Sequence, residues 1–428
     1  MPVDVLPREV WERLVALSRD AGFDLASGPC RVRRTSSRFC LGVEHGDYNG
    51  TELFGVGTDR YLYLAYRPSD TGRVRLLSGN FEGDGVVEFG AGEIPPPGDP
   101  AVRDSWARFP LGVAHVLGQA GLPLERGFDG VLWGDIPGGG MSRSASLTLN
   151  LILTALEVEG HDALDPLRVV DWAVAVENDY IGSPCGELDQ VMILFAREQR
   201  GVHYFPATRT VRHLPLPADA RDFRLVSLDT GTVRPGLEHS TYRVRRAECE
   251  ELVALARPEF GLHCLADVRD DALYDRLVQR FAAGHPHLIA RLRYLFQAQH
   301  RFKRLLYAWL HGDLETVGAV FRADGLGLRD DYRISGPELE TMCDIARTVP
   351  GVLGERMLGG GDKGAAGAIA WAEAVPDLRR AVETAYPRSH PNLAHRCAVH
   401  ELRSVAGVMS MDVRDGVVSS IELPSFRT

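Results

Sequence analysis

Near the start of the chain Val10, Trp11, Leu14 and Leu17 recur at helical spacing, which predicts an amphipathic helix. Over residues 31–67 the pattern turns strand-like, and TDRYLYLAYRP at 58–68 alternates with a period of two. The proline-rich EIPPPGDP at 93–100 marks a surface loop. A strand is expected at 130–136, then the polar and glycine-rich PGGGMSRSAS, then residues 147–156, apolar nearly all round. A helix of that kind must be buried. PLRVVDWAVAVENDY at 166–180 reads as a further helix leading into CGELDQ at 185–190. VHYFPATRTVRHLPL at 202–216 and FRLVSLDTG at 223–231 read as strands that carry the chain from one lobe to another. Beyond Val244 helical patterns dominate up to LGGGDKGAAG at 358–367. The fold class expected is α+β, in two lobes.

Composition narrows this picture without redrawing it. At 428 residues the chain is long for one core, and the division is expected between 1–210 and 211–428. A net charge of −10 argues against a nucleic-acid surface, which needs clustered positive potential. The seven cysteines are scattered with no CxxC pair, so neither a zinc site nor a disulfide framework is indicated. MPVDVLPREVWERL lacks the basic start and apolar centre of a secretion signal, and no apolar run reaches membrane-spanning length. A soluble cytoplasmic protein with no membrane partner is expected.

The order strand, glycine loop, helix around Pro137 carries chemistry of its own. Gly138, Gly139 and Gly140 lack Cβ atoms, so their N–H groups can approach phosphate oxygens, and the following helix points its unsatisfied N–H groups at the same anion. Ser142 and Ser144 add hydroxyls able to bond phosphate or to ligate Mg²⁺. The loop is neither GxxxxGK[ST] nor GxGxxG. On residues alone it is either a phosphate cradle or a glycine-rich turn before a core helix.

PGGGMSRSAS resembles the PxGxGLSSSA motif of the GHMP kinases, a loop that wraps ATP phosphates. RFCLGVEHGDYNG resembles the galactokinase segment GRxNLIGEHxDYNGG, with Ser37 in place of glycine. CGELDQ, preceded by Glu177, is similar to AEHxFxGxxCGxMDQ. HSTYRVRRAECE at 239–250 resembles HSLASSEYPVRRxxCE, and LRDDYRISGPELE at 328–340 resembles SLRDDYEVSCPELD. The likeness runs in galactokinase order from about residue 31 to 370. It implies the two-lobed GHMP kinase fold with ATP and a free sugar meeting between the lobes. Glu44, His45, Asp47, Gly186 and Tyr242 then hold the sugar, and Gly138, Gly139, Gly140, Ser142, Arg143 and Ser144 hold the nucleotide. Ser144 and Glu177 serve Mg²⁺, and Asp189 with Arg38 is the catalytic pair. The chemistry is coherent: a carboxylate can accept the proton of an anomeric hydroxyl, and a guanidinium beside it keeps it ionised.

Three departures from the family pattern stand out. Arg143 replaces the middle serine of the usual trio, and Asp362-Lys363 replaces Phe-Gly in RMLGGGDKGA, where Lys363 reads as a solvated loop lysine. Past Tyr386 the stretch HPNLAHRCAVHELRS has no counterpart; His390, His395 and His400 read there as a helical surface face rather than metal ligands. The expected activity is ATP- and Mg²⁺-dependent phosphorylation of galactose or a galactose-like sugar at C1. The departures also allow a kinase for an unusual sugar, such as an octose, in antibiotic nucleotide-sugar biosynthesis. A non-catalytic sugar sensor is the third reading.

Overall fold

The computed structural model describes residues 5–161, 164–217, 221–232 and 240–423, so residues 1–4 of the expected amino-terminal segment and His239 lie outside it. Two long antiparallel strands, β1 (Cys30–Gly42) and β2 (Leu53–Pro68), form the spine of the first sheet. Beyond β2 lie β5 (Gly127–Gly134), β3 (Arg73–Ser78) and β4 (Val86–Gly90), with β3 and β5 parallel. The hairpin of β6 (Arg200–Phe205) and β7 (Thr210–Pro215) pairs with the start of β2. The alternation in β2 is read out literally. Leu62, Leu64 and Tyr66 enter the main core, while Tyr61, Tyr63 and Ala65 enter a smaller one roofed by α1 (Arg8–Asp20) through Val10, Leu14 and Leu17.

On the main-core face lies α3 (Arg143–Val158), buried nearly all round as its composition demands. Several of its polar side chains bond to β1 and β2. Asn150 Nδ2 donates to the Arg33 carbonyl at 3.2 Å, and Ser146 Oγ to Thr35 Oγ1 at 2.8 Å. These bonds, costly to leave unmade in a core, fix the helix and therefore the loop before it. Against α3 pack α2 (Arg108–Gln119), α4 (Pro166–Ala175) and α5 (Leu188–Leu194). Helix α4 runs on into a π-helical turn, Val176–Ile181.

Among the described residues the second sheet has the order β11 (Ala398–Leu402), β8 (Phe223–Asp229), β10 (Ala365–Trp371), β9 (Val352–Met357), all antiparallel. Its helices are α6 (Thr241–Phe260), α7 (Asp271–Phe281), α8 (Pro286–Leu310), α9 (Leu314–Gly327), α10 (Pro337–Arg347) and α11 (Val375–Ser389). One apolar core continues across both sheets, from Leu64 to Leu292 and Ile369. Trp309 of α8 wedges between them, its ring 5.1 Å from Phe54 of β2 and 6.2 Å from Phe223 of β8, while its Nε1 donates to the Pro215 carbonyl at 2.9 Å.

Two expectations are amended. The chain leaves the first sheet after Pro215 and enters the second at Phe223, a few residues past the expected 210. It then comes back: β12 (Val408–Arg414) pairs with β1, and β13 (Val417–Glu422) forms the sheet's edge, so the segment 211–428 is not one lobe. Nor is the tail a helical face. Pro391 cannot continue α11, which ends at Ser389, and Val399 and Leu402 are buried in a strand against β8. His390 instead meets Thr341 Oγ1 at 3.0 Å, and His400 lies in β11.

Candidate active site

The far end of β1 delivers Arg38 to a cleft of about 360 Å³ between the two sheets' helices and loops. Arg38 is 1% exposed, yet it is fully used. Its Nε donates to Asp189 Oδ1 at 2.7 Å and its Nη1 to the Gly140 carbonyl at 2.7 Å. Asp189 stands in the first turn of α5, with its side chain 32% exposed to the cleft. One buried cation thus ties the glycine loop to the carboxylate that follows CGE.

The strap after β1 carries the second cluster. Glu44, His45 and Asp47 all line the cleft, as do Gly186 and Tyr242. His45 has φ +59°, a conformation rare for a side-chain-bearing residue and often found at functional sites. Its ring is set among tyrosines, 5.1 Å from Tyr242 and 5.0 Å from Tyr332, and its Nδ1 meets Tyr48 Oη at 2.9 Å. Tyr48 and Tyr332 hydroxyls meet at 2.6 Å. Asp47 Oδ2 accepts the Leu188 N–H at 3.3 Å, and burial first, then the charge of Asp189, pushes its pKa up to about 7. Gly186 permits this approach, because a Cβ there would stand 2.1 Å from Asp47 Oδ2. Glu44 is largely committed to the protein: its Oε1 accepts the Gly359 N–H at 3.0 Å and lies 3.5 Å from Arg356 Nη2. Burial raises its pKa, opposed by Arg38 and Arg356. Behind it Arg356 is paired with Asp324 and donates to the Cys40 carbonyl at 2.9 Å.

All six residues expected to hold the nucleotide, Gly138, Gly139, Gly140, Ser142, Arg143 and Ser144, line the same cleft. The glycines do more than open the backbone. A Cβ on Gly139 would stand 2.7 Å from the Gly364 Cα, and one on Gly140 would stand 2.9 Å from the Ala365 N, so the loop lies backbone to backbone on the second glycine cluster. Ser142, at φ +59°, caps α3, and its Oγ is buried with no hydrogen-bond partner among the described residues. The altered residues of the second cluster have separate duties. Asp362 Oδ2 accepts the Thr241 N–H at 2.6 Å, fastening the first turn of α6 and with it Tyr242. Lys363 is exposed outside the cleft, facing a shallow hollow with His390 and Arg396.

Glu177 sits on the π-helical turn, buried, with Ser144 and Gln190 as hydrogen-bond partners; Gln190 Nε2 donates at 3.0 Å. Burial, then the charge of Asp189, raises its pKa to about 7. Ser144 and Glu177 present adjacent hard oxygen donors, and a carboxylate so poorly solvated gains from a cation, so the pair fits Mg²⁺. Among the described residues no group of three or more His, Cys, Asp or Glu side chains forms a metal cage. A hydroxyl and one carboxylate suit instead a metal that arrives with phosphate oxygens.

One end of the cleft is absent from the sequence expectations. Phe81, Asp84, Ser105, Trp106, Arg108 and Phe109 line it, with the Phe81 and Trp106 rings stacked 6.4 Å apart. Asp84 Oδ2 accepts from Ser105 Oγ at 2.7 Å and from the Trp106 N–H at 2.9 Å. The signal available was a Trp and two Phe in the short polar stretches FEGDG and DSWARF, outside any periodic apolar pattern.

Comparison with known proteins gives a family and a fold. Residues 108–197 match the N-terminal domain of the GHMP kinases. The chain is 30% identical to a galactokinase of Limosilactobacillus fermentum, over 89% of this chain and 94% of that one. It is 34% identical to a galactokinase of Chloroflexus aurantiacus, over 84% and 88% respectively. The structure resembles that of Lactococcus lactis galactokinase complexed with galactose, with a TM-score of 0.84, 28% identity, and coverage of 93% of this chain and 99% of that one. No helix among the described residues is long and apolar enough to cross a membrane.

Proposed function

The chain belongs to the galactokinase family, and from that premise we propose that it transfers the γ-phosphate of ATP to the C1 hydroxyl of galactose or a galactose-like sugar, giving a sugar 1-phosphate. The observation that carries this reading is Arg38, bonded at 2.7 Å both to Asp189 and to the glycine loop. It joins the two substrates' sites at one charge. The base of ATP fits the aromatic end at Phe81 and Trp106, and the phosphates fit the loop with Ser142. The sugar fits beside Asp47, His45, Gly186 and Tyr242. Its C1 hydroxyl would then face Asp189, which accepts the proton or orients the attack, while Arg38 holds that carboxylate in place and balances charge on the transferring group. Ser144 and Glu177 would hold Mg²⁺, which neutralises charge on the phosphates when bound.

Galactose is favoured over an unusual sugar. Of the three departures that allow the latter, the altered second glycine cluster has other duties: Asp362 fastens α6 while Lys363 stays outside the cleft. The intact Arg38–Asp189 pair speaks against a passive sensor. The test is ATP-dependent phosphorylation across galactose, its 2-amino and 6-deoxy relatives, and seven- and eight-carbon analogues. Galactose turnover with kcat/KM of about 10⁴ M⁻¹s⁻¹ or more is expected. Rejection of galactose with turnover of an extended sugar would replace the proposal, and sugar binding without any ATP turnover would restore the sensor.

Two further outcomes follow from the geometry. Gly186→Ala drives a methyl against Asp47, so the KM for sugar is expected to rise by about 10²-fold with the KM for ATP nearly unchanged. Steady-state kinetics with each substrate varied checks this, and an unchanged sugar KM would remove Asp47 from the sugar site. For the metal, the sign is set by Glu177. Below its pKa of about 7 a proton competes for the carboxylate, so Mg²⁺ half-saturation should be about tenfold weaker at pH 6 than at pH 8. Glu177→Gln should flatten that dependence.

A further inference from the structure

At the mouth of the phosphate loop lies a cation, Arg143, that forms no ion pair among the described residues. Four of the five buried arginines among the described residues are paired with carboxylates: Arg33 with Glu157, Arg38 with Asp189, Arg291 with Glu248, Arg356 with Asp324; the fifth, Arg34, lies over the Tyr61 ring away from the cleft and donates to the Val5 carbonyl at 3.1 Å. Arg143 lines the cleft, and among the described residues no carboxylate lies within ion-pair distance of it. The field of Asp229 reaches it, but that carboxylate is engaged with the Gly231 N–H at 2.9 Å. The guanidinium instead lies over the ring of Phe81, 5.2 Å from its centroid, and Phe81 is itself stacked on Trp106. Its Nη1 is 4.0 Å from where a Cβ on Gly138 would stand, so the charge hangs over the entry to the glycine loop. The side chain is half-buried in the cleft, so its charge is only partly solvated.

Such a group is stabilised by an anion arriving in the cleft. Guanidinium matches phosphate with two parallel N–H bonds, and a ring beneath it fixes the plane of the fork. A serine at this position would offer a hydroxyl and no charge. We propose that Arg143, held flat on Phe81, binds the nucleotide's polyphosphate directly and keeps the nucleotide bound when no divalent cation is present. This deepens the proposed ATP site and rests on it.

The test is equilibrium binding of ADP to the full chain by calorimetry, in Mg²⁺ and in EDTA, for the parent, Arg143→Ser, Arg143→Lys and Phe81→Ala. The parent should lose no more than about fivefold in affinity when Mg²⁺ is removed, and Arg143→Ser should bind at least about 30-fold more weakly than the parent in EDTA. Lysine should rescue part of that loss, and Phe81→Ala should reproduce part of it with Arg143 intact. Thermal midpoints and galactose binding near the parent's establish that the variants are folded. Equal ADP affinity of parent and Arg143→Ser in EDTA would overturn the clamp while leaving the kinase reading standing. Failure of the parent to bind ADP in either condition would overturn both.

Discussion

Asp189→Asn is expected to lower turnover by about 10³-fold or more while leaving galactose affinity within about threefold of the parent. An anomeric hydroxyl is a weak nucleophile, and Asp189 is a carboxylate of the cleft that is both paired with a buried cation and partly exposed to the cleft. Three further carboxylates of the cleft are otherwise engaged. Glu44 is bonded to Gly359, Asp47 to Leu188, and Glu177 to Ser144 and Gln190. Asparagine keeps the shape and an acceptor oxygen for Arg38, so the sugar pocket should survive, but it can neither take a proton nor carry charge. Single-turnover kinetics alongside a direct galactose-binding measurement separates the two effects. A kcat within a few-fold of the parent would remove Asp189 from the chemistry. Loss of sugar binding together with turnover would make it a structural residue of the pocket.

Much of this site was legible because its chemistry is carried by short contiguous words. EHGDYNG places Glu44, His45 and Asp47 on one strap, and CGELDQ places Gly186 and Asp189 within four positions. Their meeting is long-range, 151 positions from Arg38 to Asp189, and residue periodicity alone does not contain it; the family likeness supplied it. What stayed hidden was partnership. Nothing in RMLGGGDKGA says that Asp362 caps α6, since the bond runs to a residue 121 positions earlier. The triple glycine reads as a phosphate cradle, yet its closest constraint is the backbone of Gly364. The aromatic end was missed because Phe81 and Trp106 sit in loops whose polar neighbours mask them. In the fold, the alternation of β2 was plain. The return of β12 to β1 was not, because strand pattern says which face is apolar and not which sheet receives it.

Removing the other half of the pair should cost both activity and stability. Arg38→Met retains most of the side chain's length and apolar stem, so packing beside β1 is largely kept. What goes is the cation at the meeting point of Asp189, Glu44 and the Gly140 carbonyl. Turnover should fall by about 10³-fold or more, because the base loses the group that orients it and the transferring group loses its counter-charge. Stability should fall by about 3–5 kcal/mol near neutral pH, the range for leaving a buried ionic partner uncompensated. The direction with pH is set by the carboxylates left behind. Asp47 and Glu177 already hold their protons up to about 7, and Glu44 is raised by burial. Arg38 holds the Glu44 pKa down, so without it the folded state binds the Glu44 proton more tightly still, while the unfolded chain releases it near 4. Between those values the folded form carries more protons than the unfolded one, so stability falls as pH rises. The gap between parent and Arg38→Met should therefore widen from pH 5 to pH 8 in denaturant titrations. A constant gap would mean that Arg38 acts by packing alone, and a gap that narrows would mean that Glu44 does not share its charge.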